Sequence, residues 1–185
     1  MATTVNIREK YKKETLPKLK EEFGIKNDFA APYIKKVVLN MGLADGISSK
    51  EALEKAKEQL AIIAGQQPRI TTAKKAISSF KLRQGDKIGL MVTLRKKKAL
   101  DFMDKFINVV MPRMRDFRGM SDEKFDKAGN YSVGITEQIL FPEIDYSKID
   151  KIRGLVVTFV VKNSNKEKSK KMLELLGVPF AKAGQ

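Results

Sequence analysis

The chain has 185 residues, of which 42% are hydrophobic and 32% are charged. This size and balance are typical of one well-packed domain, so we expect a single domain over residues 1–185. The sequence contains neither Cys nor His, which excludes disulfides, the usual zinc ligands and the Ser-His and Cys-His pairs of many enzymes. Lys and Arg outnumber Asp and Glu by 37 to 22, and the resulting net charge of +15 favours a polyanionic partner, most commonly nucleic acid.

The sequence also bears on the membrane and on export. It contains no run of eighteen apolar residues, and its N-terminus (MATTVNIREKYKKE) lacks the apolar stretch of a secretory signal. The sequence therefore predicts neither a membrane span nor export, and we expect a cytoplasmic protein.

The first elements along the chain are a helix and a strand. Residues 5–22 carry apolar side chains near helical spacing but include Pro17, which predicts a kinked or two-part helix that ends at Gly24. Residues 33–41 (YIKKVVLNM) are rich in β-branched and aromatic side chains, and this composition predicts a largely buried strand.

A second helix and two extended segments follow. Ser48 and Glu51 have the spacing of a capping box, and the apolar period behind them runs until Gly65, so we expect a helix between these points. A short extended piece is predicted near residues 68–71. Residues 87–95 (KIGLMVTLR) alternate between apolar and polar side chains, which predicts a strand.

The second half of the chain also contains predicted helices and strands. Residues 99–110 predict an amphipathic helix that ends before Pro112, and residues 131–135 and 154–162 predict strands. A last helix should begin at a capping box formed by Ser164 and Glu167.

The order of these elements indicates the fold class. Strands are interspersed with helices at unequal spacing, without repeated strand-helix units, and this favours an α+β fold. We expect a mostly antiparallel sheet with helices packed on one face. The opposite face would then be free to bind a partner.

The positive charge is concentrated in residues 69–98, which contain ten Lys or Arg and one acid, Asp86, and so carry +9 of the net charge of +15. Apolar residues are threaded through this segment, so we expect its cations to be displayed on folded structure. Such cations can follow a polyphosphate, and Phe80 offers a flat face to a sugar or base. The alternative interpretation is a solvated charged surface.

A second candidate surface lies in residues 112–130, where no hydrophobic period survives. Loops of that length in compact domains are usually either functional or disordered. The start of this loop is suited to an RNA groove or to an acidic protein surface, although it can also be only a cation-rich exposed loop. The side chains concerned are Arg113, Arg115, Phe117 and Arg118.

The sequence offers no convincing catalytic group. Asp101 with Asp104, and Glu143 with Asp145, could form carboxylate pairs, but nothing in the sequence orients a base or nucleophile beside them. No GxxxxGK[ST] or GxGxxG pattern is present. We therefore predict no catalytic residue, no metal ligand and no cofactor, and we do not expect an enzyme.

Several longer motifs are more specific than the charge. The segment AGQQPRITTAKKAISSFKLRQGDKIGLMVTLR, with VVLNMG, MPRMRDFRGM, GNYSVGI, EQILFPEIDY and LLGVPF, closely resembles the bacterial-type fifth protein of the large ribosomal subunit, the 5S rRNA-binding family. The resemblance covers the chain from the first helix through Phe180. Departures from the family pattern are slight, such as Ala44 and Ala76.

The resemblance implies a structural role in the ribosome, with no reaction catalysed. It implies that the protein binds 5S rRNA and helps attach it to the large-subunit rRNA in the central protuberance, beside the other 5S-binding ribosomal proteins. It further implies a contact with the P-site tRNA and a bridge to a protein of the small-subunit head.

The resemblance also assigns residues to these contacts. The 5S rRNA contacts fall on Asn40, Gln66, Phe80, Arg83 and Thr93. The tRNA contact falls on Thr72, Lys74 and Lys75, and the inter-subunit bridge falls on Arg113, Arg115 and Arg118. Without the resemblance, Thr93 would be interpreted as a strand former and Asn40 as a turn residue.

Two other classes of protein also use basic surfaces. An RNA-modifying enzyme would need a cofactor loop or a positioned catalytic group, and the sequence shows neither. A peripheral membrane protein would need an amphipathic helix with large exposed apolar residues, whereas the predicted helices have apolar stripes sized for a core.

Overall fold

A computed structural model of the chain describes residues 6–43, 49–114, 119–146 and 149–181. Within these ranges the strands are β1 (Tyr33–Gly42), β2 (Arg69–Thr72), β3 (Lys87–Arg95), β4 (Tyr131–Ile135) and β5 (Leu155–Lys162). They form an antiparallel sheet in the order β2-β3-β1-β5-β4. With the helices described below, this sheet confirms the α+β class.

Burial alternates along the strands. In β1, Val37, Leu39 and Met41 are fully buried, whereas Val38 and Asn40 between them are more accessible. Because successive side chains point to opposite faces of a sheet, one face of β1 belongs to the core and the other is open. The same period of two occurs in β3, β4 and β5.

The α-helices of the described ranges are α1 (Ile7–Lys10), α2 (Leu16–Phe23), α3 (Lys50–Ala64), α4 (Lys97–Lys105) and α5 (Lys166–Leu176). A π-helical turn joins α1 to α2, and Pro17 lies in the first turn of α2, where a missing backbone N–H costs no intrahelical hydrogen bond. The two-part helix predicted around Pro17 is therefore confirmed, and Gly24 ends it in the left-handed conformation at φ +62°.

Both predicted capping boxes were wrong by one residue. The Ser49 side chain, not that of Ser48, caps α3 by accepting a hydrogen bond from the Ala52 backbone N–H at 3.2 Å; Ser48 itself lies outside the described residues. At α5 the cap is the Asn165 side chain, which accepts from the Lys168 N–H at 2.9 Å. Ser164 instead directs its hydroxyl to the Asn165 carbonyl.

The described residues group into two compact units. One is drawn from Met1–Val37, Arg95–Val133 and Thr158–Gln185, and the other from Val38–Leu94 and Gly134–Val157. We refer to them as the first and second unit. The single domain expected from the length of the chain stays a prediction.

The two cores differ in composition. In the first unit, aromatic rings meet in pairs, such as Phe106 with Phe159 at 5.6 Å between centroids and Phe125 with Tyr131 at 4.6 Å. In the second unit the core is mostly aliphatic, with Phe141 as a fully buried aromatic ring. It contains the buried stripe of α3 and the buried residues of the strands, which include Leu53, Leu60, Ile63, Leu39, Leu90 and Leu94.

Candidate nucleic-acid interface

The open side of the sheet in the second unit forms a surface that we call the open face. The antiparallel register pairs Arg69 with Met91 and Thr71 with Gly89, so the paired side chains lie on the same face. The strand residues of this face in β1, β2 and β3 are Val38, Asn40, Gly42, Arg69, Thr71, Gly89, Met91 and Thr93. None of them is acidic, so the open face presents no fixed negative charge of its own to a polyanion.

Gly89 keeps this surface closely packed. A Cβ atom built on Gly89 would lie 2.7 Å from the Met41 carbonyl oxygen and 3.0 Å from the Thr71 hydroxyl oxygen. A side chain cannot be placed there without moving backbone, so only hydrogen fits. The absence of a side chain at Gly89 therefore lets its neighbours in β1 and β2 pack closely against it at the centre of the open face.

Gln66 is connected to the open face through β3. Gly65 ends α3 in the left-handed conformation at φ +61°, and the chain then turns so that Gln66 is exposed. The Gln66 side-chain amide donates a hydrogen bond to the Thr93 carbonyl oxygen at 3.4 Å. Since β3 lies beside β1, Thr93 and Asn40 belong to neighbouring strands, and Gln66 is joined to the first of them by this hydrogen bond.

The segment between β2 and β3, residues 73–86, which we call the basic loop, has its own hydrogen bonds. At its base the Ala73 N–H donates to the Asp86 carbonyl at 2.8 Å, and the Gly85 N–H donates to the Ala73 carbonyl at 3.0 Å. Further out, Ile77 and Leu82 exchange backbone hydrogen bonds of 2.9 and 3.1 Å. This confirms that these cations are displayed on folded structure.

The tip of the basic loop is a short 3-10 turn at Ser78–Phe80, followed by Lys81 in the left-handed conformation at φ +53°. Phe80 is 75% exposed and Ile77 is 43% exposed. Asp86, the one acid of the basic segment, accepts a hydrogen bond from the Arg83 backbone N–H at 2.6 Å. Asp86 thus stabilises the closed conformation of the basic loop. The Phe80 ring is exposed to solvent at its tip.

The cations of the basic loop face solvent. Lys74, Lys75, Lys81 and Arg83 are exposed. No ion pair between residues that the structure describes involves any of them, although exposed lysines elsewhere pair with acids, as Lys55 does with Glu51 at 2.7 Å. Their charge is therefore available to an external anion. Thr72 is exposed beside them at the end of β2.

The arginines suggested for the inter-subunit bridge are only partly described. Arg113 is exposed in a 3-10 turn, Met111–Arg113, of the first unit. Arg115 and Arg118 lie outside the described residues. Part of the same long loop is well packed, because Met120 forms backbone hydrogen bonds to Pro179 and Ala181 at 2.8 and 3.0 Å.

Sequence reasoning missed several residues of this surface. Arg69, Thr71 and Met91 belong to the open face, and the alternation of β2 and β3 could have assigned them to it. Ile62 is 53% exposed and lines a shallow depression with Gly65 and Gln66. In the sequence, Ile62 lies off the apolar stripe of α3, and this position could have indicated an exposed apolar side chain there.

Asp104, a member of one of the two acidic pairs noted in the sequence, is held by contacts within the fold. Burial, and then the neighbouring charge of Asp101, raise the pKa of Asp104, whose carboxylate also accepts hydrogen bonds from the Ile7 backbone and the Asn108 amide.

Across residues 6–43, 49–114, 119–146 and 149–181, no three His, Cys, Asp or Glu side chains are arranged to hold a metal ion. In the same ranges no helix is long and apolar enough to cross a membrane.

The fold and this surface define a class, a basic α+β protein with a sheet face and a loop suited to a polyanion. Comparison with known proteins narrows the class. The family model for ribosomal protein L5 matches residues 27–83, and the model for the C-terminus of the same ribosomal family matches residues 87–180. The chain therefore belongs to the L5 family of ribosomal proteins.

Individual relatives agree over nearly full length. The chain is 51% identical over 176 residues to large ribosomal subunit protein uL5 of Thermoanaerobacter sp. (strain X514), which covers 95% of this chain and 98% of that protein. It is 50% identical over 174 residues to uL5 of Geotalea daltonii, covering 94% and 97% of the two chains. The protein is accordingly a non-enzymatic constituent of the large ribosomal subunit, where it binds rRNA.

Proposed function

We propose that the open face and the basic loop bind 5S rRNA and help attach it to the large-subunit rRNA of the central protuberance. One observation carries this proposal. Asn40, Gln66 and Thr93, which are separated by up to 53 positions in sequence, all lie in the second unit, where Gln66 donates a hydrogen bond to the Thr93 carbonyl and the strands of Asn40 and Thr93 are neighbours. Amide and hydroxyl groups of this kind can hydrogen-bond to sugar hydroxyls and base edges in a shallow RNA minor groove.

The basic loop adds contacts of a different kind. Phe80 offers an exposed ring for stacking on an unpaired base, and Arg83 offers a planar cation for a phosphate. Lys74 and Lys75, with Thr72, contact the backbone of the P-site tRNA. Such contacts depend on charge and geometry rather than on base sequence, which suits a partner that changes with every codon.

Contacts with proteins complete the proposal. The other 5S-binding ribosomal proteins share the same RNA, and a protein of the small-subunit head meets the arginines of the long loop. Arg113 supports this contact by its exposure. Arg115 and Arg118 are included on the resemblance of the RMRDFRG motif alone.

A gel-shift titration tests the central claim. The purified protein is titrated against a 5S rRNA transcript, with excess tRNA as competitor, at two salt concentrations. We expect binding that persists with the competitor and at the higher salt concentration, because base and sugar contacts are less sensitive to salt than phosphate contacts. Binding that disappears under both conditions would leave only a general polycation and would refute 5S recognition.

A further inference from the structure

The first unit contains an apolar groove that lies outside the open face and the basic loop. We call it the N-terminal groove. Its walls are the side chains of Ile7, Tyr11, Tyr33, Ile34, Leu100 and Leu176, and its volume is about 210 Å³. An apolar cavity of about 150 Å³ already binds benzene, so the groove has room for a large apolar side chain.

The walls are held in place by polar contacts at their edges. The Tyr11 hydroxyl donates to the Pro32 carbonyl at 2.8 Å, and burial raises the pKa of Tyr11 to about 12. The Lys10 ammonium donates to the Leu176 carbonyl at 3.1 Å. These contacts keep the groove formed before any ligand arrives, which lowers the entropy cost of binding.

The rim of the groove is positive. Arg8 and Lys12 line it, both are exposed, and neither forms an ion pair with another described residue. Two acids lie near the groove: Glu9 pairs with Lys13 at 3.1 Å, and the Asp104 carboxylate accepts hydrogen bonds from the Ile7 backbone and the Asn108 amide. Arg8 lies in α1 and Lys12 lies four residues later, in the π-helical turn Tyr11–Thr15, so the two cations are about one helical turn apart and two acidic side chains at a similar spacing would match them.

An RNA base fits this groove poorly, although the rim would suit a phosphate. The edges of a base carry several hydrogen-bond donors and acceptors, which must be satisfied when they are buried. The walls are almost wholly apolar, and the Tyr11 hydroxyl is already bonded to Pro32. A second copy of the chain is also disfavoured, because each copy carries a net charge of +15.

We propose that the N-terminal groove binds an acidic, amphipathic segment of a partner protein. A Leu, Ile, Met or Phe side chain of the partner fills the groove, and flanking Asp or Glu side chains pair with Arg8 and Lys12. Burial of the apolar side chain supplies affinity, and the two charges select the acidic partner and its orientation. This contact is independent of 5S rRNA binding, which the proposal above assigns to the second unit.

Photocrosslinking in assembled ribosomes tests the proposal. Tyr33, a groove residue that is 39% exposed, is replaced by p-benzoylphenylalanine, and ribosomes carrying this chain are irradiated. We expect a covalent adduct to a protein segment whose crosslinked apolar residue is flanked by Asp or Glu, identified by mass spectrometry. Adducts only to rRNA, only to a second copy, or to nothing would overturn the proposal.

Charge variants decide whether the rim selects the partner. Arg8→Glu with Lys12→Glu should lower the crosslink yield about tenfold, because attraction is replaced by repulsion at both positions. Lys18→Glu with Lys26→Glu changes the net charge equally at exposed lysines outside the groove and should leave the yield unchanged. Equal loss in both double variants would contradict a specific rim.

A peptide titration removes the dependence on assembly of the variants into ribosomes. The crosslinked segment is synthesised, labelled and titrated against purified protein by fluorescence anisotropy. Arg8→Glu with Lys12→Glu should weaken binding about tenfold, and a peptide in which the acids are replaced by Lys should recover binding to that variant but not to the wild type. Failure of this charge swap in a variant that unfolds at the wild-type temperature would refute the pairing.

Discussion

Arg153 and the cations of the basic loop carry the same charge in opposite surroundings. Arg153 is only 7% exposed, and both of its terminal nitrogens donate to the Asp150 carboxylate, at 2.7 and 2.8 Å. Its backbone N–H donates to the side-chain oxygen of Gln138, which is itself fully buried. Lys74 and Lys75 are exposed and have no such partner among the described residues.

The comparison shows that an excess of cations in a sequence does not by itself measure the capacity to bind a polyanion. A buried, hydrogen-bonded arginine contributes to the fold and is not available to RNA, since exposing it would break its pair with Asp150. A lysine without an internal partner costs little to bring to a phosphate. Variants at the two kinds of position should therefore separate stability from RNA affinity.

The largest effect is expected for Arg153→Met. The change removes the buried cation and leaves the partly exposed Asp150 carboxylate without its bidentate partner, and hydrogen bonds to charged groups typically contribute about 1.5–3 kcal/mol. Urea denaturation should therefore show a loss of that size, while the folded fraction binds 5S rRNA as the wild type does. A free energy of unfolding within about 1 kcal/mol of the wild-type value would show that the pair is not stabilising.

The stability of the folded protein at low pH should depend on Asp150. Hydrogen bonds from Arg153 hold the pKa of Asp150 at about 2, below the usual value of a carboxyl group. The resulting stabilisation is present above about pH 4, where an unfolded Asp is ionised, and is lost as the pH falls toward 2. Denaturation curves at pH 7 and pH 2.5 should show that Asp150→Asn removes most of this difference, whereas identical pH profiles would contradict it.

Replacing Lys74 and Lys75 together by Ala should act on RNA binding alone. We expect 5S rRNA and tRNA to bind about tenfold more weakly, and the slope of log K against log salt to fall by roughly 1.4–1.8 because two phosphate contacts are lost. Unfolding should be unchanged, since both side chains are exposed. Lys18→Ala with Lys26→Ala is the matched control. If the variant at Lys74 and Lys75 has the same salt slope as the wild type, these lysines do not contact RNA phosphates.

The smallest effect is expected for Asn40→Ala on the open face. The loss of one amide contact should reduce the preference for 5S rRNA over tRNA about fivefold, or roughly 1 kcal/mol, with no change in the salt slope. Asn40 is exposed and its side chain packs little, so stability should be retained. Competition gel shifts measure the preference, and unchanged discrimination would remove Asn40 from the proposed site.

Much of the fold could be predicted because its signals are local. The alternation in residues 33–41 and 87–95 and the Pro17 break need only neighbouring residues to be interpreted, and the elements formed close to the predicted bounds. The predictions of the two helix caps were wrong for a reason that is also local. Ser48 and Ser49 are adjacent, as are Ser164 and Asn165, and each side chain is able to cap. The backbone conformation where the helix begins decides between them.

The candidate site was only partly accessible from local patterns. Asn40, Gln66 and Thr93 were assigned by the resemblance, and no spacing rule connects them. The contact of Gln66 with Thr93 depends on how α3 ends and on the pairing of β2 with β3. The N-terminal groove gave no sequence signal, because its walls come from four separate stretches of the chain.

By itself the sequence determined the composition, the concentration of positive charge in residues 69–98, the main helices and strands, and membership of a family. These follow from residue types and short spacings, which act through the propensities and periods of local backbone. Tertiary structure alone decided which cations were left for a partner and which, like Arg153, were neutralised inside. That choice depends on contacts between residues distant in sequence, because only such contacts set the burial and pairing of a charge.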